Sequence, residues 1–183
     1  MACSYQSSRN HFVTMVDIMI TGYLLKDIFK SYTRAQIMFD LFFTSEGRMF
    51  GEAGYNGSIK IGNFSENFFS NNIFFNARQY QEQWLAAAER VLSNGKSYFL
   101  VNVYDPDMAN FFTSWPCSVI DGTVYIQNQI IFADQYCLSD ILSFQTNLGE
   151  IEFIDEDGEK FSTWQTDLHA MQQFRTKMRH LLA

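Results

Sequence analysis

Residues 104–132 read YDPDMANFFTSWPCSVIDGTVYIQNQIIF, and the fold turns on the Asp121-Gly122 pair within them. A two-residue type I′ turn needs positive φ at both central positions, which Asp-Gly accepts, and apolar, aromatic and β-branched runs flank the pair on both sides. With the turn placed there, Val119 faces Val124, Cys117 faces Ile126, Trp115 faces Asn128, Thr113 faces Ile130 and Phe111 faces Phe132. Period-two alternation sets these residues on one face, read as core. Phe112, Ser114, Ser118, Tyr125, Gln127 and Gln129 fall on the other face, which is mostly polar and read as partly solvated. Pro116 cannot donate to a ladder, so its arm is expected to be an edge strand or to be bulged there.

The composition bounds what surrounds this hairpin. The chain has 183 residues, 47% of them apolar and 17% aromatic, enough for one domain with a full core. A net charge of −7 argues against binding a nucleic-acid backbone. The acid is concentrated: from Asp105 to Asp167 lie twelve carboxylates (Asp105, Asp107, Asp121, Asp134, Asp140, Glu150, Glu152, Asp155, Glu156, Asp157, Glu159 and Asp167) and one base, Lys160. Such a stretch is either a solvated surface or a docking face for a basic partner, whose encounter it would speed. Cys3, Cys117 and Cys137 are odd in number and widely spaced, so neither a disulfide scaffold nor a metal framework follows, and a reducing cytoplasm fits.

Residues 1–48 read differently from the rest. They are rich in Met, Ile and Phe, but the longest run between charges, Ile18 to Leu25, is far short of the ~20 residues that span a bilayer. No signal-peptide pattern is present; one or two helices are expected, about 12–30 and 34–43. Gly51 to Gly57 is expected to be a glycine-rich loop without the order of a phosphate cradle. Ser58–Ile61 reads as a short strand and Asn63–Phe75 as a Phe- and Asn-rich connection or an irregular strand. Asn76 is placed as the N-cap of an amphipathic helix, 77–92, with Gly95 beyond its end. Ser97–Tyr104 is a strand. After Phe132, residues 133–148 read as a loop or short helix, and Glu150–Ile154 and Lys160–Trp164 as a hairpin around Asp157-Gly158. Thr166 or Asp167 caps a C-terminal helix near 167–181 with Leu168, Met171, Phe174, Met178 and Leu181 on its apolar face. The fold class is therefore α+β, with antiparallel sheets, DG-turn hairpins and two helices.

No catalytic set can be assembled. His11, His169 and His180 neither flank a plausible nucleophile nor form H-x-x-x-H, and no G-x-S-x-G occurs. Asp105 and Asp107 suit a turn better than a metal loop, and the carboxylates at 155–157 sit on a turn tip, not in a pKa-raising pocket. No metal, cofactor or membrane contact is expected.

Ordered motifs identify a family. Tyr80 and Trp84 stand in the first helix. Tyr104-Asp105-Pro106 leads to Asn110-Phe111, then Trp115, then Val124-Tyr125-Ile126-Gln127-Asn128. Asp157-Gly158 is followed by Lys160-Phe161-Ser162 and Trp164. Over about residues 58–175 the chain resembles the immunity proteins of bacterial contact-dependent growth inhibition (CDI) systems. It is most similar to the type that neutralises a toxin domain cleaving 16S ribosomal RNA. The first 48 residues and the connection at 133–149 depart from that pattern. The resemblance divides the chain into an N-terminal extension, 1–48, and an immunity domain, 49–183; the extension is either accessory or reflects an upstream start with Met49 as the native one. It implies a Whirly-like arrangement and a cytoplasmic, non-enzymatic protein that binds the C-terminal nuclease domain of a CDI toxin, 1:1, with no direct contact to nucleic acid. The residues expected to meet the toxin are Asp105, Asp107, Asp121, Asp134, Glu150, Glu152, Asp155, Glu156, Asp157 and Glu159, with Tyr104, Phe112 and Tyr125 as exposed aromatic anchors. A Whirly-like nucleic-acid-binding module and a small-ligand-binding domain are the alternatives; the first needs a basic, aromatic-lined groove that the charge opposes.

Overall fold

Asp121 and Gly122 both adopt positive φ (49° and 79°), and β5 (Phe111–Ile120) and β6 (Thr123–Gln127) pair across them in the expected register. The computed structural model describes residues 38–105, 109–132 and 149–183, all within the unit Ile37–Ala183. Among the described residues there are two antiparallel sheets and two helices, an α+β fold. The first sheet has the order β1 (Phe39–Met49), β2 (Glu52–Ile61), β3 (Phe64–Asn71). The second runs β4 (Lys96–Val103), β5, β6, β8 (Thr163–Asp167), and β7 (Gln129–Phe132) also pairs with β5.

β5 has partners on both sides, so the edge-strand expectation for Pro116 is overturned. On the β4 side Pro116 lies opposite Tyr98, whose carbonyl turns away to accept from Gln83. The missing donor therefore falls on the other side of β5. There the ladder is already broken, because β6 stops pairing at Cys117–Ile126 and β7 starts at Ser114–Gln129.

Helix α1 (Ala77–Asn94) begins at Asn76 in a capping box, Asn76 Oδ1 accepting from Gln79 N and Gln79 Oε1 from Asn76 N. Its buried side chains seal the outer edge of β4. Gln83 acts as a strand substitute: Nε2 donates to Tyr98 O (2.8 Å) and Oε1 accepts from Leu100 N (3.0 Å). Trp84 Nε1 donates to Leu100 O (2.6 Å), and Tyr80 Oη accepts from Val103 N (2.9 Å) while donating to Asn71 O. From β3, Ser70 Oγ donates to Val101 O, and Asn71 donates to Asn102 Oδ1. An edge that would template aggregation is thereby closed by side chains.

Helix α2 (Leu168–Leu182) is capped by Asp167, which accepts from Ala170 N, and buries Met171, Phe174 and Met178; Leu168 and Leu181 lie exposed. Phe39, Leu41, Ile59, Trp84, Phe99, Trp115, Ile126 and Phe174 belong to one core, with Phe39 set edge-on to Phe174.

Three expectations are corrected. Residues 39–43 are strand, not helix; β1 pairs with β2 from Phe39–Ile61 to Met49–Glu52, which places the last ten residues of the expected extension in the first sheet. The glycine-rich stretch 51–57 is a tight turn followed by β2, not a loop. Gly54 is required there because a Cβ would lie 2.1 Å from Ser70 O. The stretch 63–75, expected as a connection or an irregular strand, is strand over Phe64–Asn71 (β3). The 150–164 hairpin reduces to a single bridge, Ile154–Lys160, with Trp164 leaving it to pair with Ile126 on β6. The helix expected at 12–30 and the loop or short helix expected at 133–148 lie outside the described residues.

Candidate functional site

β6 positions the acidic segment. Gln127, buried, donates from Nε2 to Glu152 O (2.7 Å) and to Thr163 Oγ1 (3.0 Å). One pleat away Tyr125 meets Phe153 edge-on, with ring centres 5.3 Å apart. The segment 149–161 is thus pinned over the outer face of β5 and β6. Asp155 shapes its tip: Oδ1 accepts from Asp157 N (3.0 Å) and Glu159 N (2.8 Å), leaving Glu156, Asp157 and Glu159 exposed. Glu150 extends to within 3.9 Å of Lys96 Nζ at the start of β4. Glu150, Glu152, Asp155, Glu156, Asp157, Glu159 and Tyr125 therefore share one surface, and Asp121 stands exposed on the β5–β6 turn at its end.

The remaining expected residues do not join this group. Tyr104 and Asp105 follow β4 at the opposite end of β5, where Tyr104 packs on Phe111 (5.2 Å between ring centres). Ten residues of strand separate Phe111 from Asp121, about 30 Å. Asp107 and Asp134 lie outside the described residues. Phe112 is a correction: it is 0% exposed and cannot be a surface anchor. The alternation places it on the polar face, but that face is buried at this end of the sheet, with Ser114 and Ile131 also buried, while Ile130 and Phe132 on the expected core face are exposed.

Nothing in this surface is arranged for chemistry. Among the described residues no group of His, Cys, Asp and Glu could hold a metal ion, and His169 and His180 are exposed on α2. Cys117 is buried beside Ser97 of β4, whose carbonyl accepts from Sγ, and burial pushes the thiol up to about 12; the nucleophilic thiolate is suppressed. Burial likewise raises the Tyr80 phenol, against the hydrogen bond from Val103, and keeps it the neutral donor that Asn71 O requires. Among the described residues no helix is long and apolar enough to cross a membrane.

One prominent surface feature has no counterpart among the residues expected from sequence. Phe50, at the β1–β2 turn, is 100% exposed with a φ of 51°. The signal was the pair Phe50-Gly51 between two paired runs, obscured because Phe is not a residue expected at positive φ.

The family model for the CdiI N-terminal domain matches residues 70–174. The immunity protein CdiI of Enterobacter cloacae subsp. cloacae is 30% identical over 139 residues, spanning 75% of this chain and 96% of that protein. The solved CdiA-CT/CdiI toxin and immunity complex from Enterobacter cloacae contains a chain that superposes with a TM-score of 0.70 at 28% identity, covering 78% of this chain and 99% of that one.

Proposed function

This chain belongs to the CdiI family of immunity proteins, which are not enzymes, and we propose that it binds and neutralises the C-terminal domain of a cognate CDI toxin, protecting the cell that makes it. The toxin domain is a nuclease, of the kind that cleaves ribosomal RNA, and the complex is 1:1 and forms in the cytoplasm. The observation that carries the partner is the superposition along nearly the whole length of a chain in a toxin–immunity complex. The pinned acidic surface supports the nuclease reading, because a ribonuclease that engages the phosphate backbone presents basic charge, and the immunity protein can meet it with carboxylates. Tyr125 supplies a half-buried aromatic at the middle of that surface.

The test is co-purification with the toxin domain encoded beside this chain, followed by titration calorimetry and an RNA-cleavage assay. Nanomolar 1:1 binding that abolishes cleavage is the expected result; a toxin domain that binds but leaves RNA intact defeats the nuclease assignment. Absence of binding defeats the partner assignment altogether. Within the complex, charge reversal at Asp155, Glu156 and Asp157 slows association, and on-rates unchanged at low salt rule that patch out.

A further inference from the structure

Among the described residues two hairpins are closed by the same two-residue turn, and they differ in one respect. At the β5–β6 turn the left-handed positions are filled by Asp121 and Gly122 (φ 49° and 79°), as the geometry favours. At the β1–β2 turn they are filled by Phe50 and Gly51 (φ 51° and 90°). A phenylalanine there sacrifices local conformational preference and gains no packing, since the side chain is wholly exposed. Residues held against their preference concentrate at functional sites.

The setting of Phe50 makes it a projecting knob. β2 pairs with β3 only as far as Gly54–Asn71, so the pairs Arg48–Ala53 and Met49–Glu52 overhang the sheet. A Cβ built on Gly51 meets nothing within 4 Å. Met49 is exposed beside Phe50, and Ile73 and Phe74 are exposed at the same end of the sheet, where Asn72 N donates to Ala53 O. Arg48 Nη1 reaches Gly51 O, which ties the guanidinium to the turn.

We propose that Phe50 at the β1–β2 tip is an anchor that inserts into an apolar pocket of the toxin domain, with Met49 packing at the rim. The inference rests on the immunity reading and adds to it a second contact surface of a different chemistry from the acidic one. The occupant is assigned from the relative: a chain 28% identical to this one, matched over 99% of its length, is solved in a complex with its toxin domain. The tip is convex, so two copies of it would meet knob to knob, and a pocket on that toxin domain is the complement. Aromatic anchors seated in such pockets carry most of the binding energy at an interface.

The test compares the intact chain with Phe50→Asn and Phe50→Leu by calorimetry and surface kinetics against the purified toxin C-terminal domain encoded beside it. Asn suits the left-handed position, so Phe50→Asn is expected to raise the melting temperature while weakening binding by about 30-fold or more, the loss appearing in the off-rate. Phe50→Leu, which keeps apolar contact but not the ring, falls between. A Phe50→Asn protein that folds and binds within two-fold of the parent overturns the anchor and leaves the immunity reading intact. An intact chain that does not bind the toxin domain overturns both. A free protein that is dimeric in solution and becomes monomeric with Phe50→Asn overturns the proposal in favour of a second copy.

Discussion

Gln83 offers the sharpest test of how this fold holds its shape. The side chain is 1% exposed and replaces a missing strand along β4, satisfying Tyr98 O and Leu100 N at once. Gln83→Leu keeps the volume and helix propensity but leaves one buried carbonyl and one buried N–H unpaired. Each such group costs about 1–3 kcal/mol. The leucine returns part of this through apolar burial, about 1–2 kcal/mol, so the net loss should be about 1–4 kcal/mol. For a chain of this size that lowers the melting temperature by about 3–12 °C. Urea unfolding with unchanged slope gives the free energy, and amide exchange at Leu100 reports the site directly. Gln83→Glu refines the test. Its carboxylate still accepts from Leu100 but cannot donate to Tyr98 O, and burial raises its folded pKa. Stability is therefore lost at neutral pH and recovered as pH falls and the acid gains the missing proton. A loss below about 0.5 kcal/mol for Gln83→Leu, or no acid recovery for Gln83→Glu, would refute the view that α1 seals this edge by hydrogen bonding.

Other outcomes follow from the same frame. A chain beginning at Met49 lacks Phe39 and Leu41, both buried, and should show no cooperative unfolding transition by calorimetry; Leu41→Ala alone should cost about 3 kcal/mol. Gly54→Ala should be far more damaging than Gly57→Ala, because the first Cβ meets the Ser70 backbone carbonyl at 2.1 Å and the second meets the Phe68 ring, a side chain that can shift; denaturant midpoints would rank them. Cys117 holds its proton up to about 12 when folded and releases it near its ordinary value when unfolded. Stability should thus fall as pH rises above about 9, by about 1.4 kcal/mol per unit while only the unfolded thiol is ionised. Cys117→Ala should flatten that part of the slope.

How much of this was legible depended on whether local signals and tertiary context agreed. The Asp121-Gly122 turn fixed the hairpin register because turn chemistry and alternation point the same way, and Asn76 and Asp167 capped their helices where the local rules put them. Pro116 misled because its effect on a ladder depends on which neighbour its missing donor faces, and that is set by a strand pairing no local window contains. β1 was hidden in an apolar run interrupted by Asp40 and Glu46; the half-buried Asp40 meets Lys177 of α2 and Glu46 is exposed, positions that become sensible only in the folded sheet. The glycines of β2 read as a loop, although Gly54 is there because β3 passes too close for a side chain. The acidic surface was half legible: composition gathered the carboxylates, but only Gln127 and Tyr125, reaching out from β6, decide which of them share a face. Phe112 failed as an anchor because alternation assigns a face without saying what covers it.

The acidic surface and the Phe50 tip should act on different steps of one association. Charges exposed to solvent attract at long range and are screened by salt, so they govern how often the partners meet. A ring buried in a pocket contributes only after contact, so it governs how long the complex lasts. Reversing Asp155, Glu156 and Asp157 should therefore lower the on-rate several-fold at low salt, with the deficit closing as ionic strength rises and the off-rate nearly unchanged. Phe50→Asn should leave the on-rate and its salt dependence as they are and raise the off-rate. Because the two act at separate steps and on separate sheets, their effects on affinity should add, within about 0.5 kcal/mol, when combined. Strong non-additivity, or a salt-dependent effect of Phe50→Asn, would mean that the tip and the acidic face contact the toxin as one continuous patch.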